Sequence, residues 1–273
     1  MPTLRIDPGL EMFYQVDNFT HPWSKPETVL LMHGNSESSD AWYAWVPQLA
    51  GDFQVVRPDM RGYGRSTPMP RDFKWSLDVI SSDFIRLLDE LKLERVHVVG
   101  AKIGGSLARA FVARHPERVS TLSVVGSPGA VRANPEQKIA EMMALFEGPG
   151  IEHWARITMD NRLGSRFPQE GKDWWTKFMG RTALSSQVGF IPAISHADLR
   201  GDIAKIRCPT LAITTDQGHV ASIAEVREWQ EKIPGSELLV LKNNSYHPAV
   251  TNADECASAV RAFILKHSAS KKT

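Results

Sequence analysis

Residues 98–105, Val-Val-Gly-Ala-Lys-Ile-Gly-Gly, constrain the fold of this 273-residue chain more than any other segment. The apolar, β-branched run at their start is typical of a buried parallel strand. From Ser106 onward, apolar side chains recur at helical spacing. The chain must therefore reverse within a few residues, and Gly100 and Gly104 give the room that closely approaching backbones need. The segment predicts a sharp strand–turn–helix with Lys102 at its apex.

Short apolar runs alternate with helical segments along most of the chain, and several runs end in polar turns. The turns are residues 33–35 (His-Gly-Asn), 58–66 (Pro-Asp-Met-Arg-Gly-Tyr-Gly-Arg-Ser), 214–219 (Thr-Thr-Asp-Gln-Gly-His) and 243–248 (Asn-Asn-Ser-Tyr-His-Pro). Strands that alternate with helices form mostly parallel sheets covered by helices. The predicted fold class is therefore α/β, with a mostly parallel central sheet and helices on both faces.

These elements, in this order and at these spacings, resemble the α/β-hydrolase fold superfamily over about residues 13–265. The resemblance is strongest to its small capped members, such as enol-lactone hydrolases, carbon–carbon bond hydrolases and esterases. In that family the turn at residue 102 is the nucleophile elbow, G-x-S-x-G, which projects a serine into a pocket. Here the nucleophile position holds Lys102.

The pattern of elements predicts one globular core with an insertion. Residues 1–132 and 202–267 are expected to form the α/β-hydrolase core. Residues 133–201 lack strand signals and carry clustered tryptophans and methionines, so they are expected to form a helical cap over the pocket. Residues 268–273, Ser-Ala-Ser-Lys-Lys-Thr, are expected to be a disordered tail.

Composition narrows the range of partners. The formal net charge of +1, from 32 basic and 31 acidic residues, argues against general attraction to nucleic acid or to an anionic membrane. No run of 18 or more apolar residues and no signal segment is seen, so a cytoplasmic protein is expected. Cys208 and Cys256 suggest neither a disulfide framework nor a metal site. We expect a small-molecule substrate or ligand, no metal and no cofactor, and leave a homodimer open.

The resemblance implies that three positions cooperate in chain order: the elbow residue, an acid and a histidine. Lys102 takes the first position, and His247 takes the third in a polar loop after the last predicted strand. At the acid's position stands Gly218, and Asp216 lies two residues earlier. Asp216 is the candidate acid that would orient His247. Alternatively, it caps the following helix or hydrogen-bonds within its own loop.

The same resemblance implies an oxyanion hole made of backbone N–H groups. Its donors would be Ile103, directly after the elbow residue, and Asn35. Since such donors depend on backbone geometry, they are compatible with a lysine at the elbow. A charged Lys102 would require a counter-ion, and the candidates are Glu37 and Asp40 in the loop after the first glycine turn.

Lysine at the elbow leaves several chemistries open. An apolar pocket lowers the pKa of a lysine, and a neutral Lys102 could form a Schiff base with a carbonyl compound or act as a general base. A charged Lys102 could instead stabilise an enolate or a carboxylate as an electrophile. Ester hydrolysis through an acyl-lysine is disfavoured, because the product would be a stable amide.

Two functions follow from these observations. The first is an α/β-hydrolase-fold enzyme that acts on a small carbonyl, ester or carboxylate compound by hydrolase or carbon–carbon lyase chemistry. The alternative is a catalytically inactive or inactivated homologue that binds a small ligand. The change at Lys102, together with the glycine at 218, favours divergence over one inactivating substitution. The retained His247 and glycine frame favour a site still in use.

Overall fold

One sheet organises the computed structural model, which describes residues 2–127, 129–130 and 135–269. Its strands in these ranges are β1 (Thr3–Asp7), β2 (Leu10–Asp17), β3 (Thr28–Met32), β4 (Gln54–Pro58), β5 (Val96–Ala101), β6 (Val119–Val125), β7 (Thr210–Thr215) and β8 (Glu237–Leu241). Their order is β1-β2-β4-β3-β5-β6-β7-β8. β2 pairs antiparallel with both β1 and β4, and all other neighbours are parallel.

Helices connect the parallel strands and follow the last of them. They are α1 (Val46–Leu49), α2 (Leu77–Glu90), α3 (Ile103–Arg114), α4 (Pro135–Glu147), α5 (Ile151–Leu163), α6 (Gln169–Gly180), α7 (Leu184–Ser195), α8 (Arg200–Ile203), α9 (Ile223–Gln230), α10 (Pro248–Thr251) and α11 (Ala253–Ala269). Across the described ranges, no helix is both long and apolar enough to cross a membrane.

The sheet separates two apolar cores because successive side chains of a strand point to opposite faces. In β3, Leu30 and Met32 join the core formed with α2, α3 and α9. Val29 and Leu31 join the core formed with α1 and α11. Helices therefore cover both faces, and the predicted fold class is confirmed.

The turn between β5 and α3 has the predicted sharp geometry. Lys102 is the single residue between the two elements, with φ 57° and ψ −125°. A Cβ on Gly104 would lie 2.2 Å from the carbonyl oxygen of Met32, and one on Gly100 would lie 2.4 Å from that of Gly104. Only glycine fits these two approaches, so the glycine frame is a packing requirement of the elbow.

Two parts of the core are not specified by the sequence patterns above. Residues 39–49 form a 3₁₀ turn at Ser39–Trp42 followed by the short α1. Pro47 stands at the second position of α1, where its missing N–H costs nothing, and so starts a new helix. The antiparallel strands β1 and β2 were not predicted, because β1 is only five residues long and β2 lacks a regular alternation of apolar and polar residues.

Residues 135–201 contain α4 to α7 and the start of α8, and no strand lies among them. Their division from the core as a cap stays a prediction, and residues 131–134 at its start lie outside the described ranges. The prediction of a disordered tail from residue 268 is wrong for residues 268 and 269, which belong to α11. Residues 270–273 also lie outside the described ranges.

Candidate active site

Three of the predicted site residues follow strands whose carboxyl ends share one edge of the sheet. Glu37 lies in the loop after β3, Lys102 follows β5, and His247 lies between β8 and α10. Open α/β sheets bind their ligands outside this edge. The structure brings the three together: His247 hydrogen-bonds to Glu37, and the charge of Lys102 lowers the pKa of His247.

Glu37 holds a buried carboxylate with two well-defined partners. Its Oε1 lies 2.9 Å from Nε2 of His247, and its Oε2 accepts from the N–H of Gly34 at 2.9 Å. Burial alone would raise the pKa of Glu37, but its interaction with the His247 ring, the hydrogen bond from that ring and the charge of Arg162 lower that pKa to about 2. Glu37 is therefore ionised at neutral pH, and it binds the amide of Gly34, next to the Asn35 amide that the resemblance assigns to the oxyanion hole.

His247 is a neutral imidazole at neutral pH. Burial lowers its pKa, and the charges of Lys102 and Arg162 act in the same direction, against the opposite effect of Glu37. Since the ionised Glu37 accepts at Nε2, the ring proton is assigned there and Nδ1 is left as a free base. Nδ1 is buried and has no hydrogen-bond partner among the described residues. The ring also contacts Trp175 edge-on, at 5.6 Å between centroids.

Lys102 is 8% exposed, and its amine lies over an aromatic face. Nζ is 3.1 Å from the centroid of the Tyr246 ring. A cation over such a face is attracted by the ring quadrupole, by about 0.5–2 kcal/mol. This contact favours the charged form of the lysine over the neutral form that Schiff-base chemistry requires.

Arg162, on α5, is a site residue that the sequence did not reveal. It is 4% exposed, and its guanidinium carbon lies 5.6 Å from the centroid of the Tyr246 ring that Lys102 also contacts. Burial lowers the pKa of Arg162 to about 10, so it remains charged at neutral pH. Its carbonyl accepts from Ser245 Oγ at 2.7 Å, and that oxygen accepts from the N–H of His247 at 2.8 Å.

Asp216 is not the partner of His247. Its side chain is exposed, and Oδ1 accepts from the N–H of Asn243 at 2.9 Å, within the loops that follow β7 and β8. The alternative prediction of a loop hydrogen bond describes it correctly. A Cβ at Gly218 would lie 2.6 Å from Thr215 Oγ1, so the space for an acid at that position is filled. Glu37 is the carboxylate that His247 contacts.

The other predictions for this loop have mixed outcomes. Asp40 forms a half-exposed salt bridge with Arg65 at 2.8 Å, and its role as a counter-ion of Lys102 stays a prediction. Glu37 uses its two oxygens for His247 and Gly34, as described above. The side-chain oxygen of Asn35 accepts from the hydroxyl of Tyr63 at 3.1 Å, which fixes the loop. Oxyanion-hole roles for the N–H groups of Asn35 and Ile103 stay predictions.

A cavity of about 210 Å³ adjoins Glu37. It is lined by the loop from Ser36 to Asp40, by Gly64 and Arg65, and by Phe178, Arg181 and Thr182 near the end of α6. In the part of the chain that the structure describes, no group of three or more His, Cys, Asp or Glu side chains could hold a metal ion. The cavity thus lies between the core loops and the helices of residues 135–195, next to the buried carboxylate of Glu37.

The chain belongs to the α/β-hydrolase fold family, whose profile matches residues 27–252. It is 26% identical over 271 residues to the non-heme chloroperoxidase CPO-A1 of Kitasatospora aureofaciens, covering 93% of this chain and 95% of that protein. A 104-residue stretch, 37% of this chain and 36% of the relative, is 38% identical to the 2-hydroxymuconate semialdehyde hydrolase of a Pseudomonas species (strain CF600).

Solved structures agree with this membership at the level of the fold. The enol-lactonase of Burkholderia xenovorans LB400 superposes with a TM-score of 0.88 at 22% sequence identity, over 97% of this chain and all of that one. The relatives named by sequence include a chloroperoxidase and hydrolases.

Proposed function

We propose that this protein is an α/β-hydrolase-fold enzyme that acts on a small carbonyl, ester or carboxylate compound, with a charged Lys102 in place of a serine nucleophile. The observation that carries the proposal is the position of the Lys102 amine. It lies 3.1 Å from the Tyr246 ring centroid, and its charge lowers the pKa of His247, which is hydrogen-bonded to Glu37. The elbow keeps its strained backbone at residue 102 and places a cation near a histidine–carboxylate pair. Such groups are suited to stabilise negative charge and to transfer protons.

In the proposed mechanism, Lys102 stabilises negative charge and does not attack the substrate. An ammonium has no lone pair, so it cannot act as a nucleophile. It can instead stabilise the oxyanion or enolate that forms when the substrate carbonyl reacts, which is the largest single contribution in many enzymes. The backbone N–H groups of Ile103 and Asn35 are proposed as additional donors to the same oxygen.

His247 is the proposed base. A water molecule adds to the substrate carbonyl carbon while its proton passes to the neutral imidazole. Glu37, hydrogen-bonded at Nε2, stabilises the resulting imidazolium, as the triad acid does in the ordinary arrangement. The imidazolium then returns the proton to the leaving group, and His247 is neutral again. Loss of a carbon leaving group by the same proton transfer gives the carbon–carbon lyase variant.

A substrate panel tests this function. Esters, enol lactones and 1,3-diketones are screened by mass spectrometry with the wild type and with Lys102→Met. The variant should lower kcat/KM by about 10²–10³, as expected for loss of one oxyanion-stabilising group. Lys177→Met, at an exposed lysine on α6, is the matched control and should keep full activity. Activity that survives in Lys102→Met would refute a catalytic role for the amine.

Borohydride trapping separates the two chemistries of the lysine. A charged Lys102 should give no reduced adduct with pyruvate or acetoacetate, because Schiff-base formation begins with a neutral amine. An adduct of the expected mass on the peptide that contains residue 102 would replace the electrophile mechanism with covalent catalysis. Both outcomes are read by peptide mass spectrometry.

The alternative function is a catalytically inactive homologue that binds a small ligand. One observation favours it: the Glu37 carboxylate already accepts from His247 Nε2, the nitrogen that faces the nucleophile in the ordinary triad. Under this alternative, small ligands raise the melting temperature of the protein while no member of the panel is converted. Turnover that depends on Lys102 would rule it out.

A further inference from the structure

We infer that Arg162, together with Lys102, binds the carboxylate of an anionic ligand, so that the substrate is a small organic acid with its reactive carbonyl in the same molecule. The inference rests on the proposed function and deepens it by naming the substrate class. It starts from an arginine that is buried beside the site without an anion bonded to it.

The guanidinium of Arg162 has unused hydrogen-bonding capacity. Among the described residues its Nε has no hydrogen-bond partner, and its Nη2 makes one long contact, 3.5 Å from the hydroxyl of Thr158. The carboxylate whose charge acts on it is Glu37, whose two oxygens are engaged by His247 and Gly34. A buried ion without a hydrogen-bonded counter-ion is costly, so the arrangement favours an incoming anion.

The sequence limits where another counter-ion could come from. The residues outside the described ranges are Met1, Pro128, residues 131–134 (Val-Arg-Ala-Asn) and residues 270–273 (Ser-Lys-Lys-Thr). None of these has a carboxylate side chain. These residues therefore offer Arg162 no side-chain carboxylate. The proposed ligand supplies the anion instead.

Arg162 lies next to the site. Its charge lowers the pKa of both Glu37 and His247, and its guanidinium carbon lies 5.6 Å from the centroid of the Tyr246 ring. The Lys102 amine lies 3.1 Å from the centroid of the same ring. Because both distances are measured to one ring, the two cations are close enough together for one small organic acid to span them. The planar fork of an arginine matches a carboxylate with two parallel hydrogen bonds, which a lysine cannot provide.

Direct binding measurements test the inference with benzoate and its neutral isostere benzamide as probes. The wild type should bind benzoate at least about tenfold more tightly than benzamide, as measured by quenching of tryptophan fluorescence, since Trp154 packs on Arg162. Arg162→Gln should abolish this ratio, and Arg162→Lys should restore part of it. Arg156→Gln is the matched control, at an exposed arginine of the same helix paired with Glu152, and should keep the full ratio.

Equal binding of the two probes by the wild type would overturn the inference, as would absence of binding by benzoate, acetate and succinate at millimolar concentration. These comparisons need no variant, so they hold even if Arg162→Gln fails to fold. An unchanged ratio in a folded Arg162→Gln would overturn it equally. If the enzyme converts a neutral substrate in a way that depends on Lys102, and shows no preference for carboxylates, only this inference is refuted. If the protein binds carboxylates but Lys102→Met keeps full turnover, only the proposed function is refuted.

Discussion

Nε2 of His247 lies 2.9 Å from Oε1 of Glu37, so the histidine takes its carboxylate from the loop after β3 and not from the loop after β7. In the ordinary triad the acid holds Nδ1 and leaves Nε2 toward the nucleophile. Here Nε2 holds the carboxylate, and Nδ1 is the nitrogen without a partner among the described residues. The exchange accompanies the change at the elbow: a lysine does not need a histidine to remove its proton, so Nε2 is available to Glu37.

Removing the Glu37 charge should weaken both folding and activity. Glu37→Gln keeps the size of the side chain but replaces a charged hydrogen bond to His247 and another to Gly34 by neutral ones. We expect the free energy of unfolding to fall by about 1–3 kcal/mol, measured by urea denaturation. Activity on any substrate found should fall by about 10²-fold, because the imidazolium loses its stabilising anion. A variant as active as the wild type would exclude Glu37 from the mechanism.

Asp216 provides the matched comparison, because it is the carboxylate that the sequence placed as the triad acid. Asp216→Asn removes a charge from an exposed loop, where the side chain accepts from the N–H of Asn243, and leaves His247 untouched. We expect activity within about twofold of the wild type and a stability loss of at most about 1 kcal/mol. Loss of activity as large as that of Glu37→Gln would mean that Asp216 reaches His247 during turnover.

How far the sequence could predict this site depended on whether a residue belonged to a motif. The glycine frame placed Lys102 and the late polar loop placed His247, since both depend on local backbone geometry. The partner of His247 could not be predicted, because a side-chain hydrogen bond across 210 residues of sequence separation depends on how β3 and β8 are arranged in the sheet. Arg162 lies in an ordinary amphipathic helix, and nothing in its neighbours distinguishes a buried arginine from an exposed one.

More of the fold than of the site could be predicted from the sequence, because most strands and helices show a local pattern. Parallel strands buried on both faces are continuous apolar runs, and their periodicity is visible without tertiary contacts. The antiparallel β1 is short, and burial along β2 does not alternate regularly, so both strands depend on their pairing with each other and with β4. The helical segment is interrupted between Trp42 and Val46, where the rings of Trp42 and Trp45 pack edge to face. This packing is a tertiary contact, which helix propensity does not describe.

Acid should destabilise the protein in two stages. His33 and His247 are buried, and burial lowers the pKa of each below 6.5, so they stay neutral in the folded state while the unfolded chain takes up protons. Their contribution is fully present above pH 6.5 and is lost as the pH falls below it. Glu37, with its pKa lowered from 4.5 to about 2, contributes above pH 4.5 and loses that contribution as the pH falls toward 2.

Urea denaturation curves recorded across this pH range measure both stages of the loss of stability. His33→Gln should reduce the loss below pH 6.5, whereas the same substitution at the exposed His153 should not. Glu37→Gln should remove the loss below pH 4.5. Stability that is constant between pH 6.5 and 4.5 would contradict the neutral, buried state of both histidines.

The elbow should not tolerate an added methyl group. Gly104→Ala would place a Cβ 2.2 Å from the carbonyl oxygen of Met32, and backbone cannot move away there without displacing β3. We expect a loss of more than about 3 kcal/mol of stability or failure to fold. Gly51→Ala is the control, since nothing lies within 4 Å of its Cβ position, and it should cost less than about 1 kcal/mol. Near-equal melting temperatures of the two variants would contradict the close approach of α3 and β3.

Serine at the elbow should not by itself create an esterase. In Lys102→Ser the hydroxyl would need to contact a base, but His247 Nε2 carries the hydrogen that is donated to Glu37, and Nδ1, the proposed base for water, has no hydrogen-bond partner among the described residues of the elbow. We therefore expect no covalent labelling of residue 102 by a fluorophosphonate probe, read by intact mass spectrometry. Adding Gly218→Asp should not help, since Thr215 Oγ1 occupies the space of the new side chain. Rapid labelling of Lys102→Ser would show that His247 leaves Glu37 and works as an ordinary triad histidine, and the lysine would then be an inactivating change in a serine hydrolase.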